Sequence, residues 1–244
     1  MIFIESQGES IYGWRYVVER CKWGQEERMK QRVLWALRQN FIPGLFLWGF
    51  GLSLVLCFYY VNASRPWFEG IIKLKMAYGY AYSAFSTALF GGLIPYLFMR
   101  VSRRDRVGNA WGMGTIFVGY WALRGMDVDA FYRLQAFLFG HGVDWKTIIT
   151  KVLVDQFVYC VIWATPVTAL FYGWKEAGYC FRRWKQEQSV RDFLDKVIIF
   201  TITTWMVWTP ATAIIYSLPS ALQIPLFNLT LCFFVLLVSV YGKK

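Results

Sequence analysis

Asp155 lies within a long apolar run, about two turns from its charged edge, with Gln156 beside it and Lys151 four residues earlier. An ionised carboxylate there is costly, so it must face a protein interior, take up a proton or pair with a base. The spacing of four puts Lys151 on the same helical face. Two readings fit: Asp155, Gln156 and Lys151 form a gate, a solute contact or a proton-sensitive switch, or Asp155 and Lys151 are a structural ion pair near the interface. A second feature is the series Thr201, Thr204, Trp208 and Thr212, with Pro210 inside it. Steps of three and four residues place the series on one helix face, which lines a path or hydrogen-bonds a neighbouring helix. Asn228, in the next apolar run, can join that face. The third group is Arg124, Asp127, Asp129, Tyr132 and Arg133, either a charged cluster at a vestibule mouth or an ordinary solvated face.

Other chemistries find no residues. His141 is the single histidine, in a Gly-His-Gly turn, so no multi-histidine metal centre can form. The five cysteines, Cys21, Cys57, Cys160, Cys180 and Cys232, include no CxxC pair. Phosphate-loop, dinucleotide-binding, nucleophile-elbow and HExxH motifs are absent. No cofactor, metal or enzymatic activity is expected.

The elements that must hold these residues are set by composition. The chain has 244 residues, 57% hydrophobic and 20% aromatic but only 17% charged, with mean hydropathy +0.37. A soluble domain carries about 25% charged residues. The 26 Lys+Arg against 15 Asp+Glu would suggest nucleic acid on a soluble chain. Between long apolar blocks they instead mark the cytoplasmic side of a membrane, and no nucleic-acid partner is expected.

Six blocks reach the length of a membrane helix, at about residues 41–61, 76–99, 107–123, 148–174, 197–218 and 221–241. With the N-terminus in the cytoplasm, 19 Lys/Arg fall on the cytoplasmic side and 7 on the other. That bias predicts six spans with both termini cytoplasmic. Residues 1–40 lack the early apolar core of a signal peptide and read as a cytoplasmic amphipathic segment, a helix lying in the membrane interface or a solvated lead-in. Residues 41–244 form one six-span domain. Segment 124–146 reads as an amphipathic helix on the far surface, continuing the third span or separate from it.

Six of the seven prolines, Pro43, Pro95, Pro166, Pro210, Pro219 and Pro225, fall in or beside the blocks. Each removes a backbone donor and frees carbonyls that must be buried in protein or line a wet cavity. Ala84, Ala88 and Gly92 form a small-residue seam for another helix, in this chain or in a second copy. Trp48, Tyr59, Tyr60, Trp67, Trp111, Trp121 and Trp174 read as an interfacial belt.

Phe131-Tyr132-Arg133-Leu134, the Lys151-to-Gln156 step, Pro166, Trp208-x-Pro210 and Leu218-Pro219 together resemble the Mpv-seventeen and peroxisomal membrane protein twenty-two family, over about residues 76–241. The resemblance implies a helical bundle of mitochondrial inner, peroxisomal, vacuolar or bacterial membranes, with a role in small-solute passage or membrane homeostasis. Departures at Asp129, Phe131 and Gln223 imply a divergent, bacterial branch.

The expectation is an all-α, polytopic helical membrane protein with an N-terminal interfacial helix. It acts as a channel or transporter for small solutes in the bacterial cytoplasmic membrane, or alternatively in an organelle membrane. A non-transporting scaffold or assembly factor is the other reading. The partners are the lipid bilayer, small solutes and, through the seam, a second copy of the chain.

Overall fold

The computed structural model describes residues 25–101, 110–187 and 189–241, which are almost wholly helical and contain no strand. Helix α1 (Gln25–Tyr60) turns through a short 3-10 segment into α2 (Arg65–Thr87). That helix passes through a π-helical turn, Ala88–Leu93, into α3 (Ile94–Val101). Next comes α4 (Ala110–Phe139). Helix α5 (Trp145–Val154), a second π-helical stretch (Asp155–Ala164) and α6 (Thr165–Glu176) form one continuous rod. The short α7 (Phe181–Glu187) leads to α8 (Val190–Tyr216) and α9 (Ser220–Tyr241).

The rods alternate in direction. Trp48 Nε1 donates to the Val207 carbonyl at 2.8 Å and the Tyr59 hydroxyl to that of Ser217 at 2.7 Å, so α1 and α8 run parallel. Tyr96 lies against Gly114 and Lys75 against Asp129, so the α2–α3 rod and α4 are antiparallel. Thr165 meets Thr201 and Asp155 meets Tyr216, so the α5–α6 rod and α8 are antiparallel. This serpentine path gathers Arg38, Arg100, Lys175, Arg191 and Lys196 at one end of the bundle.

Four stretches, Lys30–Tyr60, Asn62–Phe98, Trp145–Glu176 and Val190–Tyr216, are long and apolar enough to cross a membrane, and α9 has a shorter apolar run over Ser220–Phe234. Helix α4 does not qualify, because Arg124, Asp127, Asp129 and Arg133 interrupt it. Large apolar side chains face outward along the rods, among them Phe85 at 74% and Ile162 at 70% exposure. In water such a surface would aggregate.

Several expectations change. Block 107–123, described from Ala110 onward, continues directly into the helix after it as α4, which is not a surface helix: its buried stripe runs from Gly114 to Ala136. The boundary at residue 40 falls inside α1, where Asn40 is buried and its Nδ2 donates to the Ala36 carbonyl at 2.6 Å. The rest of the N-terminal segment, residues 1–24, lies outside the described residues. Trp121 is no belt residue: it is 2% exposed and packs against Gly91 and Gly92.

Proline explains both π-helical stretches. Pro95 and Pro166 each follow one by two residues. A proline ring clashes with the carbonyl four residues back. Widening the preceding turns relieves the clash, so Ile94 N donates to Leu89 O and Thr165 N to Cys160 O, each five residues back.

Helix α2 kinks at Gly79, where φ is +50° and ψ is −119°. The kink carries Lys75 into the bundle, where its Nζ donates to the Gly79 carbonyl at 3.1 Å. A Cβ there would meet only Arg133 Nη2, at 3.6 Å. Gly79→Ala is therefore expected to destabilise through the backbone alone, by about 1–3 kcal/mol in detergent unfolding. A variant as stable as the parent would show that the kink carries no conformational demand.

Candidate functional site

A partly open cavity of about 70 Å³ lies between α4, the second π-helical stretch, α8 and α9. Helix α4 contributes Trp121, Arg124, Val128 and Tyr132, at the three- and four-residue steps of one face. The second π-helical stretch contributes Asp155, Gln156, Tyr159, Cys160 and Ala164. Its widened turns set adjacent Asp155 and Gln156 both on the cavity wall. Helix α8 adds Thr204, Trp208 and Thr212, and α9 closes the wall with Phe227 and Leu231.

One end of the cavity is rich in acceptors. Asp155 is buried, with Oδ2 accepting from the Tyr216 hydroxyl at 2.6 Å and Oδ1 from Gln156 Nε2 at 3.1 Å. Gln135 Nε2 supports Tyr216 by donating to its hydroxyl at 2.7 Å. Gln156 Nε2 lies 3.4 Å from Thr212 Oγ1, and Trp205 Nε1 donates to the Gln156 carbonyl at 2.7 Å. The Gln156 Oε1 atom is buried without a hydrogen-bond partner.

The other end carries donors. Arg124 is 7% exposed and pairs through Nη1 with Asp127, yet its Nε has no partner. Trp121 Nε1 and the Thr204 hydroxyl are likewise buried and unpartnered. Asp127, which does not line the cavity, accepts from the Tyr159 hydroxyl at 2.8 Å and from Trp163 Nε1 at 3.0 Å.

Of the gate candidates, Asp155, Gln156, Thr204, Trp208 and Thr212 meet at the cavity, together with the vestibule candidates Arg124 and Tyr132. The others do not line it. Lys151 forms no ion pair with Asp155: its Nζ lies 6.0 Å from the Tyr216 ring centroid, while the carboxylate turns to Tyr216 and Gln156. The four-residue spacing gives a shared face, but long-range packing brings the Tyr216 hydroxyl of α8 onto the carboxylate. Thr201 bonds Thr165 across the α6–α8 contact at 2.9 Å. Asn228 ties α9 to α2, accepting from Thr87 at 2.7 Å and donating to Ser86 Oγ at 2.8 Å. Pro210 lies inside α8, between the wall residues Trp208 and Thr212. Asp129 belongs to a separate buried cluster with Lys75 and Ser83, which the half-exposed Arg133 joins from its rim.

Sequence reasoning missed Tyr159, Cys160, Gln135, Tyr216 and Lys75. Tyr159 could have been found four residues after Asp155. Tyr216, 61 residues from Asp155, carries no local signal. Among the described residues no three His, Cys, Asp or Glu side chains are placed to hold a metal ion.

No family model matches the chain, and neither curated proteins nor solved structures give a match.

Proposed function

We propose that the chain is an integral membrane protein that passes small polar solutes through the centre of its helical bundle, with Asp155 and Gln156 as the gate. The observation that carries this reading is the cavity whose wall gathers four unpartnered polar groups, on α4, α8 and the π-helical stretch. Buried groups without a partner also occur away from it, at Asn40, Gln135, Trp174 and Trp184; the four on the wall share one space, where a polar solute can offset the cost of about 1–3 kcal/mol that each carries. The resemblance to the Mpv-seventeen and peroxisomal membrane protein twenty-two family, carried by the Lys151-to-Gln156 step, agrees with a membrane role. We place the basic end of the bundle, with both termini, in the cytoplasm of a bacterial cell. A cysteine at position 182 labelled from outside intact cells would reverse that orientation.

The reading is tested by flux through proteoliposomes holding the purified protein, over a broad panel of small solutes. Asp155→Asn should leave the fold intact, because Tyr216 can still donate to the amide oxygen. It should cut flux at least about tenfold, the size of one lost charge-assisted hydrogen bond. Unchanged flux from a stable Asn variant would remove Asp155 from the gate. No flux of any solute through the parent protein would favour the scaffold.

A further inference from the structure

The unpartnered groups of the cavity are sorted by type. Trp121 Nε1–H and Arg124 Nε–H are pure donors, and Thr204 beside them has a free hydroxyl. Gln156 Oε1 is a pure acceptor, and each Asp155 oxygen accepts one bond from the protein and keeps a lone pair. Thr204 and Thr212 mark the two ends on α8, eight residues or about 12 Å apart at 1.5 Å per residue. Arg124 is paired with Asp127 through Nη1, so the donor end offers N–H and O–H groups with little net charge, while the Asp155 carboxylate leaves the other end negative. A lone anion would face Asp155, and a lone cation would leave the donors of Trp121, Arg124 and Thr204 unmet.

We propose that the cavity takes a small zwitterion, its carboxylate at Trp121, Arg124 and Thr204 and its ammonium at Asp155 and Gln156. The inference rests on the proposed passage and adds its substrate class. The separation of the two ends, about 12 Å along α8, sets the length. A short ω-amino acid, whose separated charges take a hydrogen bond at each end, bridges the two clusters. An α-amino acid, with its charges adjacent, reaches only one.

Proteoliposome uptake and thermal stabilisation in detergent, measured with 4-aminobutyrate, butyrate, butylamine and glycerol, test it. After subtraction of entry into protein-free vesicles, which butyrate and butylamine cross in their neutral forms, 4-aminobutyrate should enter at least tenfold faster than either, and it alone should raise the melting temperature. Arg124→Gln should remove that preference. Because Arg124 also pairs with Asp127, Thr204→Val serves as the second variant. It deletes an unpartnered hydroxyl, so it should leave stability unchanged or raised while 4-aminobutyrate uptake falls several-fold. Butyrate or butylamine entering as fast as 4-aminobutyrate overturns the zwitterion and leaves passage standing. Stabilisation by 4-aminobutyrate with no flux of any probe upholds the site and overturns passage. Neither stabilisation nor preferential uptake overturns the inference.

Discussion

Asp129→Ala is expected to destabilise the protein by about 3–5 kcal/mol, the cost of stranding one partner of a buried ion pair. Asp129 and Lys75 are 3% and 5% exposed, with Lys75 Nζ at 2.5 Å from Asp129 Oδ2. The Ser83 hydroxyl donates to the same oxygen at 2.8 Å, and Arg133 Nε reaches Oδ1 at 3.2 Å. Removing the carboxylate leaves an ammonium inside the bundle with only the Gly79 carbonyl and the Ser83 hydroxyl to receive it. The double variant Lys75→Met with Asp129→Leu should recover most of the loss, because apolar side chains replace a buried pair at little cost. Arg133→Gln should change little, since the Arg133 side chain is half exposed. Reversible unfolding in detergent measures all three. An Asp129→Ala protein melting with the parent would mean that Lys75 escapes to solvent and that the cluster does not lock α2 to α4.

Gly125→Leu should cost at least about 3 kcal/mol, at or beyond the upper end of ordinary overpacking. A Cβ at position 125 would overlap the Ser83 carbonyl oxygen and lie 2.5 Å from Thr87 Oγ1. The obstacle is partly backbone, so no rotamer change relieves it; α2 and α4 must separate. That movement would also pull Asp129, one turn further along α4, away from Lys75. Gly119→Leu is the matched control: it lies on the same helix, and a Cβ there meets nothing within 4 Å. It should be neutral or mildly stabilising, as leucine is the better helix former. Equal losses from the two variants would show that helix α4 responds to bulk anywhere, and that Gly125 marks no special contact.

The small-residue seam shows how far local pattern reaches. Ala84, Ala88 and Gly92 share a face, but α4 packs against Ser83, Thr87, Gly91 and Gly92, while Ala84 and Ala88 are only half-buried. Small residues on neighbouring faces permit close approach equally well, and the partner helix chooses between them. Gly125, the partner's own close-contact residue, carries no pattern of its own.

The sequence by itself determined the apolar rods, because length and hydropathy are local properties. It also determined the basic bias at one end and the prolines that widen two helices. It brought forward Asp155, Gln156, Thr204 and Thr212 as candidates, because a polar group in an apolar block stands out without knowledge of its partner. Only the tertiary structure decided what those groups face. Asp155 turns to Tyr216 rather than Lys151, and Asp129 to Lys75, at separations of 61 and 54 residues. Arg124 and Asp129, which resemble a solvated face in the sequence, are buried because α4 runs on through the bundle. Helical spacing fixes which side of its own helix a residue occupies. Which neighbour covers that side depends on the packing of all the rods at once, and there the sorting of donors and acceptors around one cavity was settled.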